Sequence, residues 1–169
     1  MNELSASQVS NIGSEIQNSR TSEASKLSGR GKVQRIDIAG LGNLVLKQYL
    51  RGGLLRYIIE RSYLAFGTPR PEWEFAKLVE AKNLGINCPE PVAFIYTKGG
   101  IFYQAWLLTR EIPDAVSLAI LSESDDERAR QALKALSEQI VTLIENRLFH
   151  VDLHPGNVVL DPHNKPYLS

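Results

Sequence analysis

The sequence HVDLHPGNVVL occupies residues His150 to Leu160, directly after a long segment with helical spacing of apolar residues. Within it, Asp152 and Asn157 are five positions apart. A carboxylate and an amide oxygen on one short loop can orient or deprotonate a hydroxyl and hold a magnesium ion, which phosphoryl transfer requires. We therefore predict a catalytic loop in which Asp152 is the catalytic carboxylate and Asn157 is a metal ligand.

The spacing of His150, Asp152 and Asn157 follows the kinase pattern HxDxxxxN. An isolated HxD would more often cap helices and turns on a surface loop. Here the strand-like VVL and the turn DPHNKP supply the short hairpin expected behind a kinase loop. His154 and His150 lack the helical geometry and the glutamate of a zinc protease motif, so zinc is not expected.

A helix is predicted to lead into this loop, beginning near Ser124. Ser124 and Glu127 have the spacing of a capping box, and SDDE places carboxylates at the positive helix end. The predicted apolar stripe comprises Leu133, Leu136, Ile140, Ile144 and Leu148. Before it, TREIPDAVSL (109–118) loses periodicity and favours a connector between two lobes.

Four strands and one helix are predicted before the connector. VQRIDIA and LVLKQYL, joined by AGLGN, form one candidate hairpin, and VAFIYT and IFYQAWLL, joined by KGG, form another. The helix of residues 71–84 should end at Gly85 in a left-handed cap.

Lys47 lies on the second predicted strand among aliphatic residues, where an ammonium group needs an anionic partner. ATP phosphates and a glutamate would supply one. At about 100° per residue, Glu72 falls within an apolar helix stripe, and Glu74 falls on the opposite side; the stripe comprises Phe75, Ala76 and Val79. We expect a Lys47–Glu72 ion pair, the alternative being that Glu72 only complements the helix dipole.

The composition is that of a globular protein, with 169 residues, 43% hydrophobic and 22% charged. No apolar run approaches the roughly 18 residues of a membrane span, and no secretory signal pattern is visible at the start, so a cytoplasmic chain is expected. Cys88 has no partner for a disulfide and is expected in the core or a loop. We expect a mobile arm over 1–25, a small lobe over 26–112 and the incomplete start of a large lobe over 113–169.

The charges are unevenly distributed, although nineteen basic and nineteen acidic residues give a net charge of zero. Residues 26–61 carry eight Lys or Arg against only Asp37 and Glu60. Such a surface suits phosphate, an anionic lipid surface, nucleic acid or simple solvation, and charge alone does not choose among them.

The motif order is more specific: GRGKV (29–33), LVLKQYLRGGLLRYIIERSYL (44–64), EWEF (72–75), LGINCPEPVA (84–93) and HVDLHPGN. Over about residues 28–169 it resembles the lipopolysaccharide kinase family, most closely its kinases of 3-deoxy-D-manno-octulosonic acid (Kdo). The resemblance implies an α+β, protein-kinase-like, two-lobed fold. It also implies transfer of the ATP γ-phosphate, with Mg2+, to a Kdo hydroxyl of a Kdo-lipid A precursor in lipopolysaccharide inner-core synthesis.

By the same resemblance, Gly29 and Gly31 would cover the ATP phosphates, Lys47 and Glu72 would bind the nucleotide, and the backbone from Thr109 to Ile112 would meet the adenine. The implied enzyme is peripheral on the cytoplasmic face of the inner membrane, where Arg51, Arg56 and Arg61 could meet anionic headgroups or substrate phosphates. A nucleic-acid partner is not expected.

Two further interpretations stay open. DLHPGN is also similar to aminoglycoside and choline phosphotransferases, so a small-molecule acceptor is one alternative. The family's metal-binding aspartate should follow a strand such as PYLS, yet the sequence ends at Ser169. The second alternative is therefore a truncated chain, fragment or degenerate product that is an inactive nucleotide-binding module.

Overall fold

The computed structural model describes residues 4–21, 33–49, 63–64, 70–99, 102–148, 150 and 152–169. The chain divides into two compact units, Met1–Glu72 with Val92–Arg110, and Trp73–Pro91 with Glu111–Ser169. Both units contain helices and strands, so the predicted α+β class is confirmed. The predicted boundary between a small and a large lobe at residue 112 assigns residues 73–91 to the small lobe, whereas the second compact unit contains them. The division into two lobes stays a prediction.

The first unit is built on an antiparallel sheet. Its strands are β1 (Val33–Ile38), β2 (Gly42–Tyr49), β3 (Tyr63–Leu64), β4 (Pro91–Gly99) and β5 (Phe102–Arg110). The strand order is β1-β2-β5-β3, with β4 also pairing with β5. Gly40 and Gly42 have φ of 79° and 72°, which explains the glycines of the β1–β2 turn. Both predicted hairpins are confirmed, and β3 is an additional strand.

The core of this unit lies on one face of the sheet. Side chains alternate along a strand, so Leu44 and Leu46 share a face of β2 while Lys47 points to the other. Helix α1 (Ala6–Thr21) covers the leucine face with Ile12 and Ile16, which are both buried. The mobile arm expected over 1–25 is therefore wrong for residues 6–21, because these two isoleucines, one helical turn apart, join the core.

Helix α2 (Arg70–Asn83) ends as predicted, with Gly85 at φ 79°. Its packed side differs from the predicted one: Ala81 is buried and Leu78 is packed against the core of the second unit. Ala76, which is predicted to lie in the apolar stripe with Phe75 and Val79, is exposed. That assignment was wrong, since the helix packs around Leu78 and Ala81 instead.

The second unit combines a small sheet with two consecutive helices. Besides most of α2, its elements are β6 (Val116–Ser117), α3 (Leu118–Ser124), α4 (Asp126–Glu145), β7 (Val158–Leu160) and β8 (Pro166–Leu168), and the strands pair in the order β6-β7-β8. The predicted connector is thus shorter than expected, because β6 and α3 occupy residues 116–124.

The amino-terminal cap of α4 is Asp125, whose side chain accepts a hydrogen bond from Arg128 N at 3.0 Å. The prediction that Ser124 caps this helix was wrong, because Ser124 is the last residue of α3 and its hydroxyl donates to Ile120 O. The helix itself is confirmed over most of its expected length.

The buried side of α4 is also rotated from the predicted stripe. Leu136 and Leu148 are buried as expected, but Leu133 and Ile144 are 51% and 64% exposed. The buried positions of the helix are Ala129, Ala132, Leu136, Gln139 and Leu143. Small alanines and a glutamine give a weak apolar signal, so the larger exposed residues dominated the prediction.

In the described ranges, none of the helices is long and apolar enough to cross a membrane. Cys88 is a buried free cysteine, as expected. Burial raises the pKa of its thiol to about 11, with the nearby Lys82 opposing that rise.

Candidate active site

The predicted catalytic loop lies between α4 and β7. Leu148 N donates to Leu143 O at 2.9 Å and closes the end of α4, and Leu148 is itself buried. On the other side, Val158 and Leu160 are buried in the core of the second unit. Apolar anchors therefore fix both ends of the loop while its polar residues stay near the surface.

Asp152 and Asn157 are in direct contact. Asn157 Nδ2 donates to the backbone O of Asp152 at 2.9 Å and to its side-chain Oδ2 at 3.1 Å. Because a carbonyl and an ionised carboxylate only accept hydrogen bonds, this contact fixes which way the amide points. Within the described part of the chain, both side-chain hydrogen bonds of Asn157 use Nδ2, which leaves Oδ1 directed elsewhere.

Residues Pro155–Asn157 form a single 3-10 turn that holds this pair together. Asn157 N donates to His154 O at 2.9 Å, and the side-chain Nδ1 of His154 accepts from Gly156 N at 3.0 Å. The proline occupies the first position of the turn, where a missing N–H costs nothing. The five-residue spacing between Asp152 and Asn157 therefore gives a loop that hydrogen bonds close.

The imidazole of His154 lies over the turn. A Cβ added at Gly156 would lie 2.8 Å from His154 Cε1 and 3.1 Å from Nδ1, so this ring position needs glycine. Asp152 has a 77% exposed side chain and its Oδ2 lies 3.7 Å from His154 Nε2. The carboxylate is thus held on one side by the loop and accessible on the other.

His150 is placed differently from the other two loop residues. Its Nδ1 is buried, and no hydrogen-bond partner for that atom is found among the described residues. The half-buried ring precedes Asp152 by two positions and packs inward. We therefore assign it no contact with the Asp152–Asn157 pair.

The hairpin behind the loop is tied to the rest of the second unit. Ser169 donates to Asn157 O through its N at 3.0 Å and its Oγ at 3.1 Å. Buried Gln139 of α4 accepts from Asn87 N at 2.8 Å and donates to Pro166 O at 3.1 Å. A side chain of α4 therefore fixes strand β8, which in turn supports the residue that closes the loop.

Lys47 lies half-buried on β2, in register with Val33 of β1 and Leu107 of β5. Its Nζ lies 5.4 Å from the ring centroid of Tyr49, a cation–π contact. Glu72 is half-buried in the first turn of α2. The ion pairs found among the described residues do not include one between Lys47 and Glu72, so this pairing stays a prediction.

Other predicted nucleotide contacts have different outcomes. Gly29 and Gly31 lie outside the described residues, as does the RGG segment with Arg51. Thr109 is half-buried in β5, and Ile112 follows that strand, so they flank the point at which the two compact units divide. Their proposed contact with adenine stays a prediction.

The residues present fit a magnesium site of the kind that is completed by substrate phosphates. In the part of the chain that the structure describes, no group of three or more His, Cys, Asp or Glu side chains could hold a metal ion. Magnesium commonly takes one or two protein oxygens together with phosphate oxygens and waters. Asn157 Oδ1 is an oxygen of this kind, on a side chain whose Nδ2 bonds the Asp152 carboxylate.

Sequence reasoning did not find the structural roles of His154, Gly156 and Gln139. His154 was weighed only as a zinc ligand, and Gly156 only as part of the motif. For His154 and Gly156, the sequence signal is HPG. A side-chain acceptor two residues before a glycine can accept a hydrogen bond from the backbone N–H of that glycine. Nothing in the local pattern marks Gln139, since its partners are distant in sequence.

Comparison with known proteins shows the family that the chain matches. The model of the lipopolysaccharide kinase (Kdo/WaaP) family matches residues 16–167. A 3-deoxy-D-manno-octulosonic acid kinase of Vibrio parahaemolyticus is 30% identical over 144 residues, covering 83% of this chain and 59% of the relative. The kinase of the same name from Vibrio cholerae is 32% identical over 128 residues, covering 73% and 53%. The chain therefore spans somewhat more than half the length of these curated relatives.

A solved structure supports the fold independently. A MAP kinase from Leishmania major superposes with a TM-score of 0.54 at 12% identity, covering 98% of this chain and 50% of the kinase chain. At that identity the likeness concerns the fold alone. The predicted protein-kinase-like fold is confirmed.

Proposed function

The chain belongs to the lipopolysaccharide kinase (Kdo/WaaP) family, and from this premise we propose that its polypeptide is an ATP-dependent Kdo kinase. The reaction is a phosphotransfer to an alcohol: the γ-phosphoryl group of ATP moves to a hydroxyl of a Kdo sugar on a Kdo-lipid A precursor. The place of this step is the inner core of lipopolysaccharide.

The observation that carries the proposal is the hydrogen-bonded Asp152–Asn157 pair. Asn157 Nδ2 holds Asp152 through both its backbone O and its Oδ2. The largely exposed carboxylate is therefore oriented without being buried, as a group that must meet an acceptor hydroxyl requires. Asp152 accepts a hydrogen bond from that hydroxyl and takes its proton as the new P–O bond forms, while the bond between the γ-phosphorus and the bridging oxygen breaks and ADP leaves.

When bound, magnesium ATP supplies the phosphoryl group and neutralises the charge that develops as it is transferred. Asn157 Oδ1 would hold the magnesium ion beside Asp152. Lys47 would bind the phosphates from the sheet face opposite the Ile12–Ile16 core, with Glu72 as its anionic partner. Gly29, Gly31 and the segment from Thr109 to Ile112 complete the nucleotide contacts in this proposal.

The Kdo acceptor is favoured over a small alcohol such as an aminoglycoside or choline. Both curated relatives described above carry the name 3-deoxy-D-manno-octulosonic acid kinase. A lipid-linked acceptor also suits the basic segment 26–61, which could meet anionic headgroups from the cytoplasmic face of the inner membrane. We therefore propose peripheral membrane binding and no nucleic-acid partner.

The test is a transfer assay with the purified protein, using labelled ATP, Mg2+ and Kdo-lipid A precursor. Aminoglycosides and choline serve as competing acceptors. Asp152→Asn, which keeps the shape of the side chain, should lower kcat by roughly a hundredfold or more. Asn157→Ala should raise the magnesium concentration needed for half-maximal rate.

The matched control is Asp126→Asn, the same substitution at an aspartate whose side chain is 74% exposed in a surface ion pair with Arg130. It should leave kcat unchanged. Full transfer by Asp152→Asn, or phosphorylation of an aminoglycoside or choline in preference to Kdo, would contradict the proposal. A purified wild-type protein that neither hydrolyses ATP nor transfers its phosphate would contradict the proposal as well.

A further inference from the structure

The Asp152 carboxylate has one oxygen that faces two N–H groups. Asn157 Nδ2 donates to Oδ2 at 3.1 Å, and His154 Nε2 lies 3.7 Å from the same atom. The first contact is a hydrogen bond, and the second is longer than one. Among the described residues, the side-chain contacts of Asp152 all involve Oδ2, so its two oxygens are not equivalent.

The orientation of His154 follows from its other nitrogen. Nδ1 accepts a hydrogen bond from Gly156 N at 3.0 Å, so Nδ1 carries no proton. A neutral imidazole with an unprotonated Nδ1 has its proton on Nε2. The polar N–H edge of the ring therefore points toward Asp152 Oδ2. The absence of a Cβ at position 156 lets the ring keep this place.

From this geometry we propose that His154 is a positioning residue that fixes the Asp152 carboxylate, so that Oδ1 is the oxygen presented to the acceptor hydroxyl. Oδ2 is held between the amide of Asn157 and the N–H edge of His154. Rotation of the Asp152 side chain about its Cα–Cβ bond would remove both contacts at once. Oδ1 then faces solvent as the proton acceptor, a role that rests on the proposed kinase function.

Two substitutions separate positioning from simple capping of the turn. In His154→Asn, the amide oxygen can replace Nδ1 as the acceptor for Gly156 N, but no group remains at the place of Nε2. In His154→Ala, both interactions are lost. His163→Asn is the matched control, since His163 is exposed on the β7–β8 turn. Among the described residues, its hydrogen bond is made by the backbone N, to Asp161.

The first measurement needs no turnover. Long-range proton–nitrogen NMR of the chain should show the Nε2–H tautomer for His154. The Hα–Hβ couplings of Asp152 should indicate one dominant side-chain rotamer. In His154→Asn these couplings should become averaged while the rest of the spectrum is kept. An Nδ1–H tautomer, or an unchanged Asp152 rotamer in His154→Asn, would overturn the proposal.

The second measurement uses the full-length enzyme. His154→Asn should lower kcat roughly ten- to a hundredfold with the KM for ATP unchanged, because misorientation affects the chemical step and leaves nucleotide binding intact. His163→Asn should behave as wild type. A wild-type kcat for His154→Asn would show that His154 only caps the turn. If the wild-type enzyme transfers no phosphate at all, the kinase proposal fails while the NMR result still decides the orientation of Asp152.

Discussion

Replacement of Gln139 by leucine should destabilise the second unit far more than a surface substitution on the same helix. The side chain is 8% exposed and satisfies two distant backbone groups, Asn87 N at 2.8 Å and Pro166 O at 3.1 Å. Leucine fills similar space but bonds neither. Each backbone group left without a partner costs about 1–3 kcal/mol, and the added apolar contact offsets part of this, so we expect a net loss of about 2–4 kcal/mol.

The assay is urea unfolding followed by circular dichroism, together with hydrogen exchange at the Asn87 amide. The unfolding midpoint should fall with little change in slope, and protection of that amide should be lost. Gln131→Leu is the control, because the Gln131 side chain bonds Glu127 on the exposed side of α4, and it should change stability by less than about 0.5 kcal/mol. A loss below about 1 kcal/mol for Gln139→Leu, with Asn87 still protected, would refute the reasoning.

Three further predictions concern stability and reactivity. Asp125→Ala should lower the free energy of unfolding by about 1 kcal/mol in urea, whereas Ser124→Ala should have less than half that effect; equal effects would contradict the observed cap. Ile12→Ala should cost roughly 2–5 kcal/mol, while Val9→Ala, at a position 55% exposed, should be nearly neutral; a silent Ile12→Ala would show that α1 is not part of the core. Burial raises the pKa of Cys88 from its ordinary 9.0 to about 11, so its stabilising contribution is present below pH 9 and is lost as pH rises through 11. Alkylation of native protein by iodoacetamide should be slow at pH 8 and speed up toward pH 11, and a midpoint near 9 would contradict the burial.

The parts of the fold that were predicted correctly rest on local signals. Strand alternation, the glycines at 40 and 42, and the left-handed glycine at 85 depend on neighbours within a few residues. The contacts of the proposed catalytic loop are local in the same way, since Asp152, His154 and Asn157 contact one another across five positions or fewer, and its catalytic role stays a prediction. Such features can be inferred from one sequence because the chemistry and the geometry are encoded in the same short stretch.

The parts that were missed depend on distant partners. The sequence of α1 looks polar, and only the sheet that receives Ile12 and Ile16 makes it a core helix. The buried side of α4 was misassigned because the burial of Ala129, Ala132 and Gln139 depends on residues that are distant in sequence and pack against them. The Lys47–Glu72 pair stays a prediction, and it depends on a distant contact of this kind, which a helical wheel does not specify.

Helix α1 has a consequence for how this protein can be shortened. A form that begins at residue 22, after the polar-looking start, would uncover the face of the sheet that bears Leu44, Leu46 and Trp106. An apolar sheet surface of this kind promotes self-association. Residues 6–21 therefore cover an apolar face that a shortened form would expose to solvent, and they should be kept in any attempt to purify, crystallise or fuse the protein.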